Sequence, residues 1–310
     1  MRRALALAAE ARHTAHPNPM VGAVITDPGG TNVGEGWHIG RGHPHAEQAA
    51  LEAAGEQARG GTLYVTLEPC THSHRTPNCT EAVIASGVTR VVVAMPDPDS
   101  RVRGEGVARL RAAGVTVDVG QGQHEAEELN RDYTHHRRTG RPFVVVKSAI
   151  SIEGLQAAAD GTSQWITGEA ARADAHRLRA EADAVMVGSG TVIADNAALT
   201  CRLPGYEGPQ PLRVVMDRRG RVPERDGWLR FDGSLKEALA ELGRREVVRL
   251  LVEGGPTLTG AFAAEGLVDE FVVYVAPLAL AGAPTLSAGR RLRLAEAEPI
   301  GGDIRLRFFS

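Results

Sequence analysis

A chain of 310 residues is long enough for two hydrophobic cores rather than one. Its 43% hydrophobic and 24% charged content is that of an ordinary globular protein, which excludes the fibrous and disordered classes. The net charge of −3 indicates no basic surface for nucleic acid, although local arginines can still hold a small anion.

The hydropathy pattern and the cysteine count indicate in which cellular compartment the protein is expected. No stretch reaches about 18 uninterrupted apolar residues, so no membrane span is expected. Three cysteines do not make a disulfide framework, and they fit a reducing cytoplasm. The segment 1–19 combines two arginines with an apolar run, as a signal peptide does, but Glu10 and Arg12 interrupt that run and favour an amphipathic helix.

The first half alternates between strands and helices after this N-terminal helix. The predicted elements are strands at 20–27 and 31–38 around a DPGG turn, a helix at 46–58, a strand at 62–67, a helix at 79–86, a strand at 90–95, a helix at 104–113 and a strand at 115–119. This order favours a largely parallel sheet covered by helices. A polar helix at 124–138, followed by Gly140 and Pro142, predicts a boundary between domains 1–140 and 141–310.

The second half restarts the alternation and is expected to be α/β as well. Its predicted elements are a strand at 143–151, a helix at 171–182, strands at 184–191, 212–217 and 247–255, a helix at 256–266 and a final strand at 271–277. The apolar last strand, FVVYVAP, would allow a homodimer across the second domains.

One constellation in the first half has the composition of a catalytic zinc site. His45 and Glu47 stand at the start of the helix HAEQAALEAA, Cys70 follows the strand TLYVTL, and Cys79 opens another helix. Catalytic zinc takes three protein ligands and keeps one position for water. His45, Cys70 and Cys79 supply the ligands, and the Glu47 carboxylate can carry a proton from the activated water to a leaving amine.

Each of these features alone has an ordinary explanation. A histidine at a helix start is commonly a surface or capping residue, and buried cysteines are commonly small core side chains. Together they form H-x-E followed by P-C and a further cysteine, the zinc deaminase signature. His38, His43, His72 and His74 lie outside this signature and are expected to be substrate contacts or loop residues, and Cys201 to be structural or incidental.

The motifs around this signature resemble one family. They are PNPMVGAV (17–24), GEGWH (34–38), HAE, and TLYVTLEPC with eight residues between the two cysteines, followed by LRAEADAVMVGSGTVIADN, QPLRVVMD and VEGGPTL in the second half. Over nearly its whole length the chain closely resembles the bifunctional riboflavin-biosynthesis deaminase–reductases. The resemblance implies a cytidine-deaminase-like three-layer domain and a dihydrofolate-reductase-like domain. It also implies zinc-dependent deamination of 2,5-diamino-6-ribosylamino-4(3H)-pyrimidinone 5′-phosphate, followed by NADPH-dependent reduction of the ribosyl group to ribityl.

The same resemblance implies further site residues. In the first half, Asn18 would face the substrate, although a simple Asx-turn explains it equally well. Independently of the resemblance, the loop 72–78 carries two histidines and Arg75, which are good donors for a ribose phosphate, although a solvated loop would have the same composition. The substrate of the reductase would meet Ser163, Arg179, Leu199, Arg202 and Glu253. NADPH would meet Ala149, Trp165, Thr191, Asp195, Gly254, Gly255, Pro256 and Thr257.

Local reasoning supports part of this set and leaves alternatives for the rest. A strand, a glycine turn and a helix start at Pro256 present backbone N–H groups to a phosphate. Arg179 and Arg202 can bind a phosphate with two hydrogen bonds, but an arginine on a helix is more commonly a solvated surface charge. Trp165 would serve equally as a core residue, and Asp195 as a turn former.

The second half departs from the family pattern at three places. The family's S-L-D-G is Ser151–Gly154 (SIEG), its D-D-P is Asp195–Ala197 (DNA), and the segment 217–247 is short by several tens of residues. Arg218 and Arg219, where the family often has a small residue, would hold the 2′-phosphate of NADPH or be surface charges. Two alternatives therefore stand beside the bifunctional enzyme. One is a deaminase with an inactive or altered reductase domain, and the other is a nucleic-acid-binding protein on a deaminase fold.

Overall fold

A computed structural model describes residues 1–71, 78–100, 103–158, 165–278 and 293–309. The chain divides into two compact units, Met1–Thr139 and Gly140–Ser310. None of the helices in the described ranges is long and apolar enough to cross a membrane.

The first unit is a five-stranded sheet with helices on its faces. Its strands are β1 (Gly22–Thr26), β2 (Asn32–Trp37), β3 (Thr62–Leu67), β4 (Arg90–Met95) and β5 (Thr116–Val119), in the order β2-β1-β3-β4-β5. Its helices are α1 (Arg2–Glu10), α2 (Ala46–Ala54), α3 (Cys79–Ser86), α4 (Glu105–Ala112), α5 (Gln123–Leu129) and α6 (Arg131–Thr139), with a 3₁₀ turn at Gly55–Ala58. The predicted β1–β2 hairpin is antiparallel, and β3, β4 and β5 run parallel, as predicted.

Helices cover both faces of this sheet, and the apolar side chains of β1 alternate between the two faces. Val24 packs with α1, whereas Ala23 and Ile25 pack in the cluster that contains α2. The contact between α2 and β2 is close, since a Cβ on Gly36 would lie 2.5 Å from the Ala46 carbonyl oxygen. This close approach fixes the first turn of α2, which carries Glu47 and follows His45.

The polar helix predicted at 124–138 is two helices. Asn130 separates α5 from α6, and its buried side chain accepts a hydrogen bond from the Met20 N–H (2.8 Å) and donates one to the Met20 carbonyl (2.9 Å). An asparagine whose side chain bonds to a distant main chain competes with helix continuation. The interruption therefore links this segment to the start of β1.

The second unit is an eight-stranded mixed sheet. Its strands are β6 (Phe143–Ile150), β7 (Ala184–Gly188), β8 (Leu212–Met216), β9 (Trp228–Phe231), β10 (Arg249–Val252), β11 (Glu270–Val275), β12 (Arg293–Ile300) and β13 (Asp303–Phe309). The order is β12-β13-β11-β6-β10-β7-β8-β9. The pairs β12–β13 and β13–β11 are antiparallel, and all the other neighbouring pairs are parallel. Its helices are α7 (Glu169–Ala180), α8 (Ser189–Asp195), α9 (Leu235–Arg244) and α10 (Pro256–Ala264). Separate hydrophobic clusters, one containing Val144 and Val146 and the other Val145, cover the two faces.

One expectation for this unit is wrong. The strand at 271–277 is not the last one, because β12 and β13 follow it and pair across a two-residue Gly301–Gly302 turn. It is an interior strand, paired along its two edges by β6 and β13. The segment 217–247 holds a further short strand, β9, which runs parallel to β8.

Candidate active sites

The predicted metal ligands come together at the ends of three elements. His45 is the N-cap residue of α2, Cys70 lies three residues beyond the end of β3, and Cys79 is the first residue of α3. The His45 Nδ1 atom is 3.2 Å from the Cys79 sulfur and 3.6 Å from the Cys70 sulfur. All three ligand atoms lie within 4.8 Å of one another, the one cluster of this kind in the described ranges.

The helix starts hold two of these ligands in place. The His45 N–H donates to Gln48 Oε1 (3.2 Å) at the start of α2. The Asn78 side chain caps α3 by accepting from the Glu81 N–H (2.9 Å), which places Cys79 in the first turn. Partial positive charge at a helix N-terminus favours a thiolate over a thiol.

The turn that carries Cys70 is held by the buried carboxylate of Glu68, which was not predicted from the sequence. Glu68 follows β3, and its side chain accepts hydrogen bonds from the N–H groups of Asp97 (3.1 Å), Gly104 (2.9 Å) and Val107 (3.1 Å). These donors belong to the segment after β4 and to the start of α4. Glu68 therefore joins the LEPC turn to two neighbouring segments and fixes the path of the chain into Cys70.

Glu47 is buried next to the ligand cluster, with 4% of its surface exposed. Burial, and next the nearby negative charge of Cys70, raise the pKa of the Glu47 carboxyl to about 7. A hydrogen bond with Cys79 lowers the pKa of Cys70, and the same contact raises the pKa of Cys79. A carboxyl group with this pKa can accept and return a proton near neutral pH.

His38 connects Asn18 to the turn that precedes His45. The Asn18 Nδ2 atom is 2.9 Å from His38 Nε2, and the Pro44 carbonyl oxygen is 3.1 Å from His38 Nδ1. With the ring proton on Nδ1, His38 donates to Pro44 and accepts from Asn18. Both ring nitrogens have partners, so His38 is not a rival metal ligand. Burial lowers its pKa, which favours this neutral form. Of the other histidines, His43 is exposed, while His72 and His74, together with Arg75, lie outside the described residues.

The predicted reductase residues gather at one edge of the eight-stranded sheet. Ala149 is near the carboxyl end of β6, Glu253 to Thr257 follow β10, and Thr191 and Asp195 lie on α8 after β7. These three strands are parallel neighbours, so their carboxyl ends open on the same edge. Ligands of open α/β sheets bind at this edge. Ser163 lies outside the described residues.

Arg179 is neither a solvated surface charge nor a free cation. It forms a bidentate ion pair with Glu253, at 2.6 Å and 2.9 Å, and also donates to the Thr200 carbonyl oxygen at 3.0 Å. The two side chains are only 15% and 8% exposed. Burial opposes ionisation of Glu253, but the Arg179 contact outweighs it and lowers the pKa of Glu253.

Lys147 is a charged member of this cluster that sequence reasoning missed. It lies on β6, and its ammonium group interacts with the charges of Glu253 and Arg179. Burial, and next the positive charge of Arg179, lower the pKa of Lys147, while Glu253 raises it. The signal was a single lysine within the apolar strand FVVVKSAI, since a charged residue there needs a buried partner.

Three further predicted residues have distinct environments. Trp165 is 67% exposed and stacks with the Arg172 guanidinium, 4.7 Å from the ring centroid, so it is not a core residue. The Leu199 side chain is buried in the core, which leaves its main chain for any substrate contact. Asp195 ends α8, and Asn196 forms the left-handed C-cap (φ 43°), a conformation that asparagine tolerates.

Comparisons with known proteins match both halves of the chain. A model described as the cytidine and deoxycytidylate deaminase zinc-binding region matches residues 1–95, and one described as the RibD C-terminal domain matches residues 142–306. The riboflavin biosynthesis protein RibD of Escherichia coli (strain K12) is 39% identical over 361 residues, covering 99% of this chain and 97% of its own. That of Mycobacterium tuberculosis (strain H37Rv) is 43% identical over 317 residues, covering 96% and 92%.

Solved structures agree with these relatives. Acinetobacter baumannii RibD (form 2) superposes with a TM-score of 0.92 at 39% identity, covering 99% of this chain and 97% of its own. The Thermotoga maritima diaminohydroxyphosphoribosylaminopyrimidine deaminase/5-amino-6-(5-phosphoribosylamino)uracil reductase superposes with a TM-score of 0.90 at 31% identity, covering 100% and 97%. The chain belongs to the RibD family.

Membership in the RibD family confirms several predictions made from the sequence. The protein is a bifunctional deaminase and reductase of riboflavin biosynthesis. The first unit has the cytidine-deaminase-like fold, and the second has the RibD reductase fold. Zinc and NADPH, the predicted cofactors, are those of the two domains.

The residues present fit both cofactors. One imidazole and two cysteine sulfurs, all within 4.8 Å, form a donor set that zinc prefers, with Glu47 buried beside it. For NADPH, Gly255 is the N-cap of α10, and no side chain in the described ranges caps this helix. A Cβ on Gly254 would lie 2.8 Å from the Leu258 side chain, whereas the space at Gly255 is open to 4 Å. Such a turn presents free N–H groups to a phosphate.

Proposed function

We propose that the chain first deaminates 2,5-diamino-6-ribosylamino-4(3H)-pyrimidinone 5′-phosphate and then reduces the ribosyl group of the product to ribityl. Residues 1–140 would carry the deamination, and residues 141–310 would carry the reduction. The observation that carries the proposal is the convergence of His45, Cys70 and Cys79 beside the buried Glu47. The names of the reactions in the Thermotoga maritima relative supply the substrate class.

In the first unit, His45, Cys70 and Cys79 would hold the zinc ion. When bound, zinc supplies a Lewis acid that makes a water molecule acidic enough to react at neutral pH. Glu47 would accept a proton from this water and pass it to the exocyclic amine, which leaves as ammonia while the ring carbon gains an oxygen. The pKa of about 7 suits both directions of this transfer.

Asn18 would orient the substrate ring through the amide oxygen that His38 does not use. Because His38 Nε2 accepts from the Asn18 amide nitrogen, the rotamer of the amide is set, and its oxygen remains an acceptor for the substrate. This contact supports a substrate role for Asn18 over a simple Asx-turn.

In the second unit, NADPH would bind along the carboxyl edge of β6, β10 and β7. Its contacts would be Ala149, Trp165, Thr191, Asp195, Gly254, Gly255, Pro256 and Thr257. The ribotide would meet Ser163, the Leu199 main chain, Arg202 and the Arg179–Glu253 pair. NADPH supplies a hydride to the ribosyl carbon, and the reduced product needs one proton besides. Lys147, with its lowered pKa, is suited to donate that proton.

We further propose a cytoplasmic homodimer that acts on small molecules and binds no nucleic acid. None of the three cysteines forms a disulfide bond, which supports a reducing compartment. The net charge of −3 supports the absence of a nucleic-acid surface.

The experiment supplies the purified chain with the ribotide, first without NADPH and then with it. We expect one ammonia per ribotide in the first stage and loss of reduced nicotinamide absorbance only after NADPH is added. Absence of ammonia would contradict the proposed substrate. Ammonia without NADPH oxidation would contradict the reductive step.

A further inference from the structure

The segment 199–202 of the second unit is tied to helix α7. Arg179 of α7 donates to the Thr200 carbonyl oxygen at 3.0 Å. Leu199 is anchored in the core and has a left-handed backbone (φ 54°), which a β-carbon makes unfavourable. Leu199 therefore holds a backbone conformation that it does not prefer. Contacts with α7, and two hydrogen bonds between the Cys201 main chain and the Gln210 side chain (2.8 Å and 3.1 Å), hold the segment in place.

His176 of α7 makes two of these contacts. Its Nδ1 atom accepts a hydrogen bond from the Arg202 backbone N–H at 3.2 Å. Its backbone carbonyl accepts a hydrogen bond from the Cys201 thiol at 3.4 Å. Two successive residues of the segment are thus fixed by one residue of the helix, and the Arg202 side chain projects from the fixed position as an exposed group.

We propose that His176 is a positioning residue of the reductase site, which fixes the Arg202 main chain so that its guanidinium meets the 5′-phosphate of the ribotide. This inference rests on the substrate role proposed above for Arg202. A long side chain on a free loop loses conformational entropy when it binds a phosphate. If the Arg202 main chain is already fixed before the ribotide binds, part of that entropy loss is avoided.

The groups around the His176 ring keep it in the neutral form that accepts the Arg202 N–H. They are Arg179 on the same helix, Arg202 and the Thr200 carbonyl on the tied segment, and Glu253 after β10. Burial first, and then the two arginines, lower the pKa of His176, while Glu253 and the Thr200 carbonyl raise it. The net effect is a neutral ring at physiological pH, which loses its acceptor only in acid.

The test compares His176→Asn with His176→Phe in the full chain, assayed with the deaminated ribotide and NADPH. Asparagine keeps an acceptor near the position of Nδ1, whereas phenylalanine keeps a planar ring and has no acceptor. We expect His176→Phe to raise the KM for the ribotide about tenfold, the effect of one lost hydrogen bond, with kcat and the KM for NADPH nearly unchanged. His176→Asn should restore most of the ribotide affinity. Ammonia release by the first unit serves as an internal control.

A pH series provides a second readout that a packing role would not change. As the pH falls through the lowered pKa of His176, the wild-type KM for the ribotide should rise more steeply than that of His176→Asn. Protonation of the substrate phosphate near pH 6 affects both proteins equally, so the difference between them isolates the ring. This comparison stands on its own if His176→Phe does not fold.

Arg202→Ala separates this inference from the proposed function. If Arg202→Ala leaves the KM for the ribotide unchanged, the phosphate role of Arg202 is wrong. If Arg202→Ala raises the KM while His176→Phe behaves as the wild type, only the positioning role is wrong. Equal losses in His176→Asn and His176→Phe, with parallel pH profiles of wild type and His176→Asn, would also overturn it.

Discussion

A single carboxyl group, that of Glu47, carries the acid–base chemistry proposed for the first unit. Its burial raises its pKa to about 7, and it lies in the helix turn that follows the ligand His45. The H-x-E spacing alone predicted this adjacency, since both residues fall in one helix start. The pKa could not be predicted, because it depends on the burial that the sheet and the neighbouring segments create.

Glu47→Gln should retain zinc and lose deamination. Glutamine keeps the size and hydrogen-bonding shape of the side chain but cannot shuttle a proton, a function worth about 10²–10⁴ in rate. The measurement is zinc content per chain together with ammonia release. NADPH oxidation with the deaminated ribotide is the control, and it should be unchanged. Full ammonia release would show that Glu47 is not the proton carrier.

The partners of several other functional side chains could not be predicted, because they are distant in the sequence. Glu68, His38 and Lys147 act through partners that are 6 to 106 residues distant in the sequence, which no local pattern reveals. Arg179 was given two interpretations from its helix, phosphate binder and surface charge, and its buried ion pair with Glu253 rules out the surface charge. A pairing of residues on α7 and after β10 becomes visible only once the sheet order is known.

Glu253→Gln should destabilise the second unit in a pH-dependent way. Removing one partner of a buried ion pair leaves Arg179 unpaired and costs about 3–5 kcal/mol. The pKa of Glu253 is lowered in the fold, so its contribution is fully present above the unfolded-state value of about 4.3 and is lost as the pH falls through the folded value. Urea unfolding of both proteins should show a constant difference at neutral pH that shrinks in acid. A difference that does not change with pH would contradict this assignment.

Strands and helices with a regular hydrophobic pattern were predicted, whereas the β12–β13 hairpin and the break between α5 and α6 were not. The strands β1, β3, β4 and β6 and the helices α2 and α10 begin within a few residues of the expected places. The hairpin β12–β13 was missed although Gly301–Gly302 is a two-residue turn signal followed by alternating IRLRFF. The break at Asn130 was missed because its cause, the pairing with Met20, lies 110 residues away.

Glu68 links three elements, and its loss should loosen α4. Glu68→Gln replaces one acceptor oxygen with an amide, so at least one of the three N–H donors loses its partner. For the buried Val107 N–H that loss costs about 1–3 kcal/mol. Hydrogen exchange of the α4 amides should accelerate accordingly. The matched control is the exposed Glu52, whose replacement by glutamine should leave exchange unchanged. Equal protection of α4 in both variants would contradict the linking role.

At the scale of the whole molecule, the two units are separate compact bodies with different chemistry. The family motifs in each half predicted this division, and the matched family regions lie on either side of it. The departures at Asp195–Ala197 and in the segment 217–247 leave the sheet and the ion pair between Arg179 and Glu253 in place.

Removal of zinc should therefore abolish deamination and leave the reduction intact. A chelator should abolish ammonia release from the ribotide and leave NADPH oxidation with the deaminated ribotide intact, because no residue proposed for the reductase belongs to the His45–Cys70–Cys79 cluster. Adding zinc back should restore the deamination. Parallel loss of both activities would show that the second unit depends on the metal.

X-ray absorption at the zinc edge of the purified chain tests the metal centre most directly. One imidazole and two thiolates should give two sulfur neighbours at about 2.3 Å and light-atom neighbours at about 2.0–2.1 Å. Cys79→Ser should remove one sulfur neighbour or the zinc itself. A shell of oxygen and nitrogen atoms alone in the native chain would contradict the assignment of these three ligands.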